Sequence, residues 1–475
     1  LGSQGLAEYS WEVNGREGRS PSASLRSLNR HLKDLSLIAV LDEGDPPLLS
    51  VGGLPSQVMV MPAWQQALVW VLVTGFVTMA GSLWVTHLNP ASTTFESTVL
   101  QTSLVFFALP VVGSVLLASY ARIFVSDAFE VESNHLIPLA FPVMSPEWPF
   151  SLISAIGQMR PDLNPIPNRR ALGFIELTTP TVMFVCGSIL TILGLGMTPN
   201  QPPAYEAAPI VVDTNFLVDI LGSVMLSSDV ALKLQWIHPT GLAGIALSLA
   251  GWALMLPIPG FPGDRILHAI IGPEDMQEGS NQTSIFIATL GFTLLIFIST
   301  EYWPWLLLTA IAAWRRFSPE QMPSPYIVDE YAGLDEIQMR QIASLTLVIL
   351  LLGYPGLEPS YEMEDWDKGL STESWPTHIS FENGNVEIEL TLEPVGVMPV
   401  SGWLQMRIEG DPFGDWQIVS ECMDERGVCR FDDITQVSPG SVSVSMNRDQ
   451  MEASEQTFRL VILLDVADHV SEYTI

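Results

Sequence analysis

Lysine is almost absent from this chain. Lys33, Lys233 and Lys368 are the only three, and all bases together number 20 against 52 acids. The formal net charge of −32 argues against nucleic-acid binding, because displacing counterions from phosphates needs a basic surface. Charge of either sign is also scarce: 15% of 475 residues, where a soluble chain usually carries about a quarter. An acid-rich, lysine-poor composition is the pattern of high-salt or marine archaeal proteins, so an archaeal source is the expectation. Acidic soluble flanks alone would give the same composition.

What the chain has instead is long apolar runs. Ala67–Val85, Ser103–Leu117, Thr181–Met197 and Gly241–Leu256 approach the roughly 20 residues needed to cross a lipid bilayer. Ser284–Ser299, Trp305–Trp314 and Ile342–Tyr354 are shorter. Reading 283–314 as a hairpin broken near Glu301–Pro304 gives a polytopic α-helical protein of about seven spans; one long tilted helix is the competing reading. Residues 1–30 are polar and lack the apolar core of a signal peptide, so insertion is expected to begin at Ala67–Val85. The bases collect in alternate loops: Arg16–Lys33, then Arg122 to Arg170, then Arg265, then Arg315 to Arg340. By the positive-inside tendency the N-terminus is cytoplasmic, and seven crossings put the C-terminal region outside the cell membrane. Asp213 and Asp219 within PIVVDTNFLVDILGSVMLSS make 208–227 a surface-lying or re-entrant helix rather than a span.

From about Trp375 the pattern changes to alternation. Val386, Ile388, Leu390 and Leu392 face one way and Glu387, Glu389 and Thr391 the other, as in a half-buried strand. Leu404/Met406/Ile408, Val442/Val444/Met446 and Leu460/Ile462/Leu464 repeat it, and Asn383-Gly384 reads as a hairpin turn. An all-β sandwich over 375–475 is expected. Cys422 and Cys429 would form a short-loop disulfide if this domain is extracytoplasmic, and would stay reduced in a cytosolic one. Cys186 reads as core filler. The remaining divisions are a polar segment 1–62, the membrane domain 63–356 and an acidic linker 357–374. Within that linker YEMEDWDK lacks the spacing and glycine of a calcium loop. Asn281-Gln282-Thr283 matches a glycosylation acceptor by chance, on the expected cytoplasmic side.

Three further segments belong together. They are FALPVVGSVLLASYARI (107–123), ISAIGQMRPDLNPIPNRRALGFIELTTPTVMFVCGSILTILGLG (153–196) and HPTGLAGIALSLAGWALMLPIPGFPGDRILHAIIG (238–272). In this order they resemble the site-2 protease family of intramembrane zinc metallopeptidases, its archaeal and chloroplast branch above all. Ile166-Pro167-Asn168-Arg169-Arg170-Ala171-Leu172 matches the family's loop motif, and Leu256-Pro257 and Gly263 keep the frame of its last motif. The likeness covers roughly 60–360. In the family, two histidines of H-E-x-x-H and the aspartate of L-D-G bind zinc, and the glutamate activates a zinc-bound water for peptide hydrolysis.

Carried over residue by residue, that chemistry disappears. The histidine positions fall on Ser119 and Ile123, the glutamate on Tyr120 and the aspartate on Pro262. Thr178-Thr179 stand where the family has A-G before Pro180, and Leu254 where it has asparagine. The seven histidines include no pair four apart. A relocated metal site would have to draw on Asp264, His268 and His135, which otherwise read as ordinary interfacial polar residues. Ser119 is not expected to pair with a histidine; a membrane serine usually bonds a carbonyl one turn back. Arg122 is expected to reach water at the membrane boundary. The resemblance thus implies a pseudoprotease without zinc that binds or regulates transmembrane clients, or partners an active protease. An active enzyme with unorthodox ligands is one alternative; a membrane-anchored receptor or adhesion module acting through the β-domain is another.

Overall fold

The computed structural model describes the chain apart from residues 1–6, 15–19, 45, 56–60, 143–144, 146, 158–162, 201, 204, 206–207, 226–229, 301, 318–323, 365, 367–368, 380–384, 411–415, 425, 449–457 and 467–468. The Asn383-Gly384 turn lies outside the described residues.

The polar leader is a folded layer rather than an appendage. Strands β2 (Leu37–Leu41) and β3 (Leu48–Gly53) form a hairpin, β1 (Ala7–Glu12) pairs antiparallel with β3, and helix α1 (Pro21–Lys33) packs on this sheet through Leu25. Two three-residue strands from the membrane part, β6 (Ile166–Asn168) and β8 (Ile327–Asp329), extend the sheet in the order β1-β3-β2-β8-β6. Ile38, Leu41, Tyr326 and Val328 share its core. Arg26 and Lys33 of α1 pair with Glu130 and Glu132, tying the layer to the chain that leaves the second long apolar helix.

Three helices are long and apolar enough to cross a membrane: α2 (Ala63–Leu88), Ser97–Ala128, and α5 (Arg169–Met197). The second is continuous through α3 (Ser97–Ser103), a π-turn at Leu104–Ala108 and α4 (Leu109–Ala128). Pro110 lies two residues past the π-turn; proline withholds an N–H and crowds the turn before it, and a π-turn is one way a helix absorbs that. A fourth span results if α7 (Val230–Lys233), its short 3₁₀ continuation and α8 (Pro239–Ala253) count as one helix, bent by 101°. The expected seven are therefore corrected to three or four on length and apolarity among the described residues. Helices α8 and α12 (Trp303–Phe317) have 15 residues each and α13 (Glu336–Leu352) has 17, short of a straight crossing. The hairpin near 301 is present: α11 (Gly279–Thr300) and α12 are separate helices, and the Phe286 and Phe317 rings meet at 5.0 Å.

Between these helices lie the hairpin β4 (Ile137–Ala140) and β5 (Leu152–Ile156), strand β7 (Ile210–Val212), α6 (Phe216–Met225), α9 (Pro262–Ile271) and α10 (Pro273–Gln277). The 208–227 segment is thus a strand and a ten-residue helix, not a span. Asp213 stands between them, and its carboxyl is pushed up to about 6 by burial, with the Asp219 charge adding to the effect. Such a group keeps its proton in the folded chain at pH values where the unfolded chain, near 3.8, has lost it. Its contribution to stability is therefore greatest below about pH 4 and falls as pH climbs towards 6. Asp213→Asn is expected to flatten that part of a melting-temperature profile; an unchanged slope would assign the decline to other groups.

Residues 357–374 are not a free linker. Strand β9 (Ser360–Glu362) pairs with β7, and β10 (Leu370–Ser371) pairs with β11 (Asn385–Pro394) of the C-terminal domain. That domain adds β12 (Val400–Glu409), β13 (Trp416–Val419), β14 (Val428–Ile434), β15 (Gly440–Arg448), β16 (Arg459–Val466) and β17 (His469–Thr474). Its sheets run β10-β11-β15-β13 and β14-β12-β16-β17. Ile388, Leu390 and Val444 of one sheet share a core with Leu404, Ile462 and Leu464 of the other, so the domain is a β-sandwich. Cys422 and Cys429 are joined by a disulfide. Val397 and Met398 dock the sandwich against Tyr205 and Trp236 of the membrane part.

Candidate functional site

The motif Ile166–Leu172 acts through structure. Ile166 and Pro167 end strand β6, and Asn168 turns the chain into α5 by accepting from the Ala171 N–H at 2.9 Å. Arg169, buried at the start of that helix, donates to the carbonyls of Ala269 and Ile270 at 3.0 and 2.9 Å. It thereby closes the C-terminal end of α9, where backbone carbonyls lack helical partners. Gly272 turns away beside it with φ of 115°, a conformation that favours glycine. Arg170 is exposed and stacks over Phe129 and Phe174. Asn168→Ala is expected to cost about 1 kcal/mol and Asn168→Ser much less, read from thermal unfolding. Equal losses would mean that the cap is not the residue's role.

Two turns into α5 stands Glu176, the single acid of that helix, 4% exposed. Arg122 of α4 donates to its Oε1 at 3.0 Å and Arg265 of α9 to the same oxygen at 2.9 Å. Arg122 therefore turns inward onto a carboxylate instead of reaching water, because a buried charge is tolerated only when paired. A second cluster lies on the other side of α9's first turn. Asp264 is 6% exposed and accepts from Arg316 at 3.1 Å; the same guanidinium group donates to Pro257 O at 2.7 Å. His268 stacks on Asp264 one turn on, its Nδ1 2.9 Å from the Asp264 carbonyl oxygen and 3.7 Å from Oδ2. Asp264, Arg265 and His268 are thus members of buried ion clusters, not ordinary interfacial groups.

Ser119 also departs from expectation. It is fully buried, its Oγ lies 3.0 Å from His135 Nδ1, and it accepts from the Leu136 N–H at 3.0 Å. The chain after α4 folds back along the helix, so His135 meets a serine sixteen residues earlier and also packs edge-on to Tyr120 at 4.9 Å. A nucleophile must be reached by its carbonyl, and this hydroxyl is enclosed; the pair tethers a loop to a helix. Tyr120 is 56% exposed, and Ile123 and Pro262 are half-buried.

These residues do not fit a zinc ion. Isoleucine and proline side chains at 123 and 262 carry no donor, Ser119 is bonded to His135, and Asp264 is neutralised by Arg316. His135 lies on Ser119 while Asp264 and His268 lie against Arg316, so the three relocated candidates belong to two different clusters. Among the described residues no group of three or more His, Cys, Asp or Glu could hold a metal. Helices α4, α5 and α9 meet through side chains that are neighbours of the positions singled out in the sequence: Arg122 beside Ile123, and Arg265 beside Asp264. Glu176 and Arg316 were missed. A lone acid in an apolar helix is the signal by which Glu176 could have been found; Arg316 reads in sequence as a loop charge. No protein-family model, curated protein or solved structure matches this chain.

Proposed function

We propose that the chain is a catalytically degenerate relative of the site-2 proteases that holds transmembrane helices of client proteins without cutting them. The observation that carries this reading is the Arg122–Glu176–Arg265 cluster at the α4–α5–α9 junction, with the Asp264–Arg316 pair on the other side of α9, where the family would hold a metal. The Ile166–Leu172 frame around that junction is intact. Client helices would approach along the outer face of α4, where Tyr120 and Phe124 are exposed beside the buried cluster. In this reading α11, α12 and α13 complete seven crossings where the bilayer is locally thinned, the base-rich end faces the cytoplasm, and the sandwich lies outside. The paired Cys422 and Cys429 agree with an oxidising compartment.

A photo-crosslinking side chain at position 120 or 124 of the full-length protein in native membranes tests the reading. It is expected to capture intact membrane-helix proteins. Stoichiometric zinc uptake with cleavage of a membrane substrate, lost in Asp264→Ala, would overturn it. Crosslinks confined instead to the sandwich, for example from the exposed Val470, would move the function to a receptor or adhesion role.

A further inference from the structure

The Arg122–Glu176–Arg265 cluster is unbalanced. Both guanidinium groups converge on a single carboxylate oxygen, so among the described residues one positive charge is left over in a buried place. Beside it is a cavity of about 20 Å³, walled by these three residues together with Ser126, Ser133 and Asn164. Three polar atoms in that wall are buried and have no partner among the described residues: Ser126 Oγ, Ser133 Oγ and Arg265 Nε. Ser126 is fully buried, and the Arg265 Nε–H can only donate. Buried polar groups are nearly always satisfied, so three orphan atoms in the wall of one cavity mark a missing acceptor. The excess charge favours an acceptor that is itself negative, since an unpaired buried charge is costly.

We propose that this cavity is a binding site for one small inorganic anion, of the size and charge of chloride. The volume suits a monatomic ion or a water or two. The anion accepts from Arg265 Nε and from the two serine hydroxyls, and completes the charge balance that Glu176 half supplies. The site lies between three helices, so its occupancy sets how tightly α4 and α9 are held to α5. Nothing in this inference depends on the client-binding reading.

The test is thermal unfolding of the purified full-length protein as gluconate is exchanged for chloride at constant ionic strength, with bromide as a second probe. The midpoint is expected to rise saturably, by on the order of 2–4 °C. Ser126→Ala removes one donor and should raise the half-saturating chloride concentration about tenfold. Arg265→Gln removes the surplus charge while the Arg122–Glu176 pair remains, and should abolish the response. If Arg265→Gln does not fold, Ser126→Ala decides alone. A midpoint indifferent to chloride, meaning that water alone fills the cavity, overturns the proposal. So does a chloride response in Ser126→Ala equal to that of the unsubstituted protein, which would mark a general salt effect.

Discussion

Glu176→Ala is expected to cost about 3–5 kcal/mol, the range for removing one partner of a buried ion pair. The loss arises less from the missing attraction than from what remains. Arg122 and Arg265 would face each other within a helix bundle, with no carboxylate between them and little water to screen them. Glu176→Gln keeps the shape and removes the charge, so its loss should approach that of alanine. Arg122→Met should be milder, because Glu176 still pairs with Arg265. Replacing all three together, by Met, Leu and Met, is expected to be close to neutral or even stabilising, since no charge is then left buried. Thermal unfolding of the four variants checks the order. A Glu176→Ala stability loss of less than about 1 kcal/mol would mean that the guanidinium heads swing out to water, as sequence alone suggested for Arg122.

That swing marks the limit of what the sequence discloses here. The sandwich is legible because a half-buried strand alternates: Val386, Ile388, Leu390 and Leu392 are all buried on β11, and the same holds on β15 and β16. The apolar helices are legible because composition by itself makes them. The N-terminal layer is not, because its sheet is completed by β6 and β8, three-residue strands that carry no pattern of their own and lie far off in sequence. Paired side chains are the least legible of all. Ser119 and His135, or Glu176 and Arg265, are related only by how the helices cross, which periodicity does not encode. The Ile166–Leu172 motif is legible as a motif, but its residues serve in the fold as strand, cap and clamp, which its spelling does not disclose.

The helices that hold the junction together rest on glycine, and the second large effect is expected there. Helices α5 and α8 touch backbone to backbone. A Cβ at Gly194 would lie 2.1 Å from the Gly241 nitrogen, one at Gly187 2.4 Å from the Ser248 nitrogen, and one at Gly244 2.3 Å from the Thr191 nitrogen. No rotamer change relieves such a clash, because the atoms in the way are main chain. In lipid no hydrophobic force presses helices together, so close packing of small residues is what associates them. Gly194→Val is therefore expected to cost about 3 kcal/mol or more, at or beyond the upper end for overpacking. The damage should spread. Helix α8 leads directly into the 254–264 turn, where Gly263 N–H donates to Leu254 O at 2.9 Å and Arg316 holds Pro257 and Asp264. Pushing α8 away displaces that turn and opens the second ion cluster as well. Gly113→Ala is the matched control: a Cβ there meets nothing within 4 Å, so the change should be neutral or stabilising by up to about 1 kcal/mol through helix propensity. Comparing the unfolding midpoints of the two variants separates packing from propensity. Equal midpoints would show that α5 and α8 are held together by something other than their backbone contact.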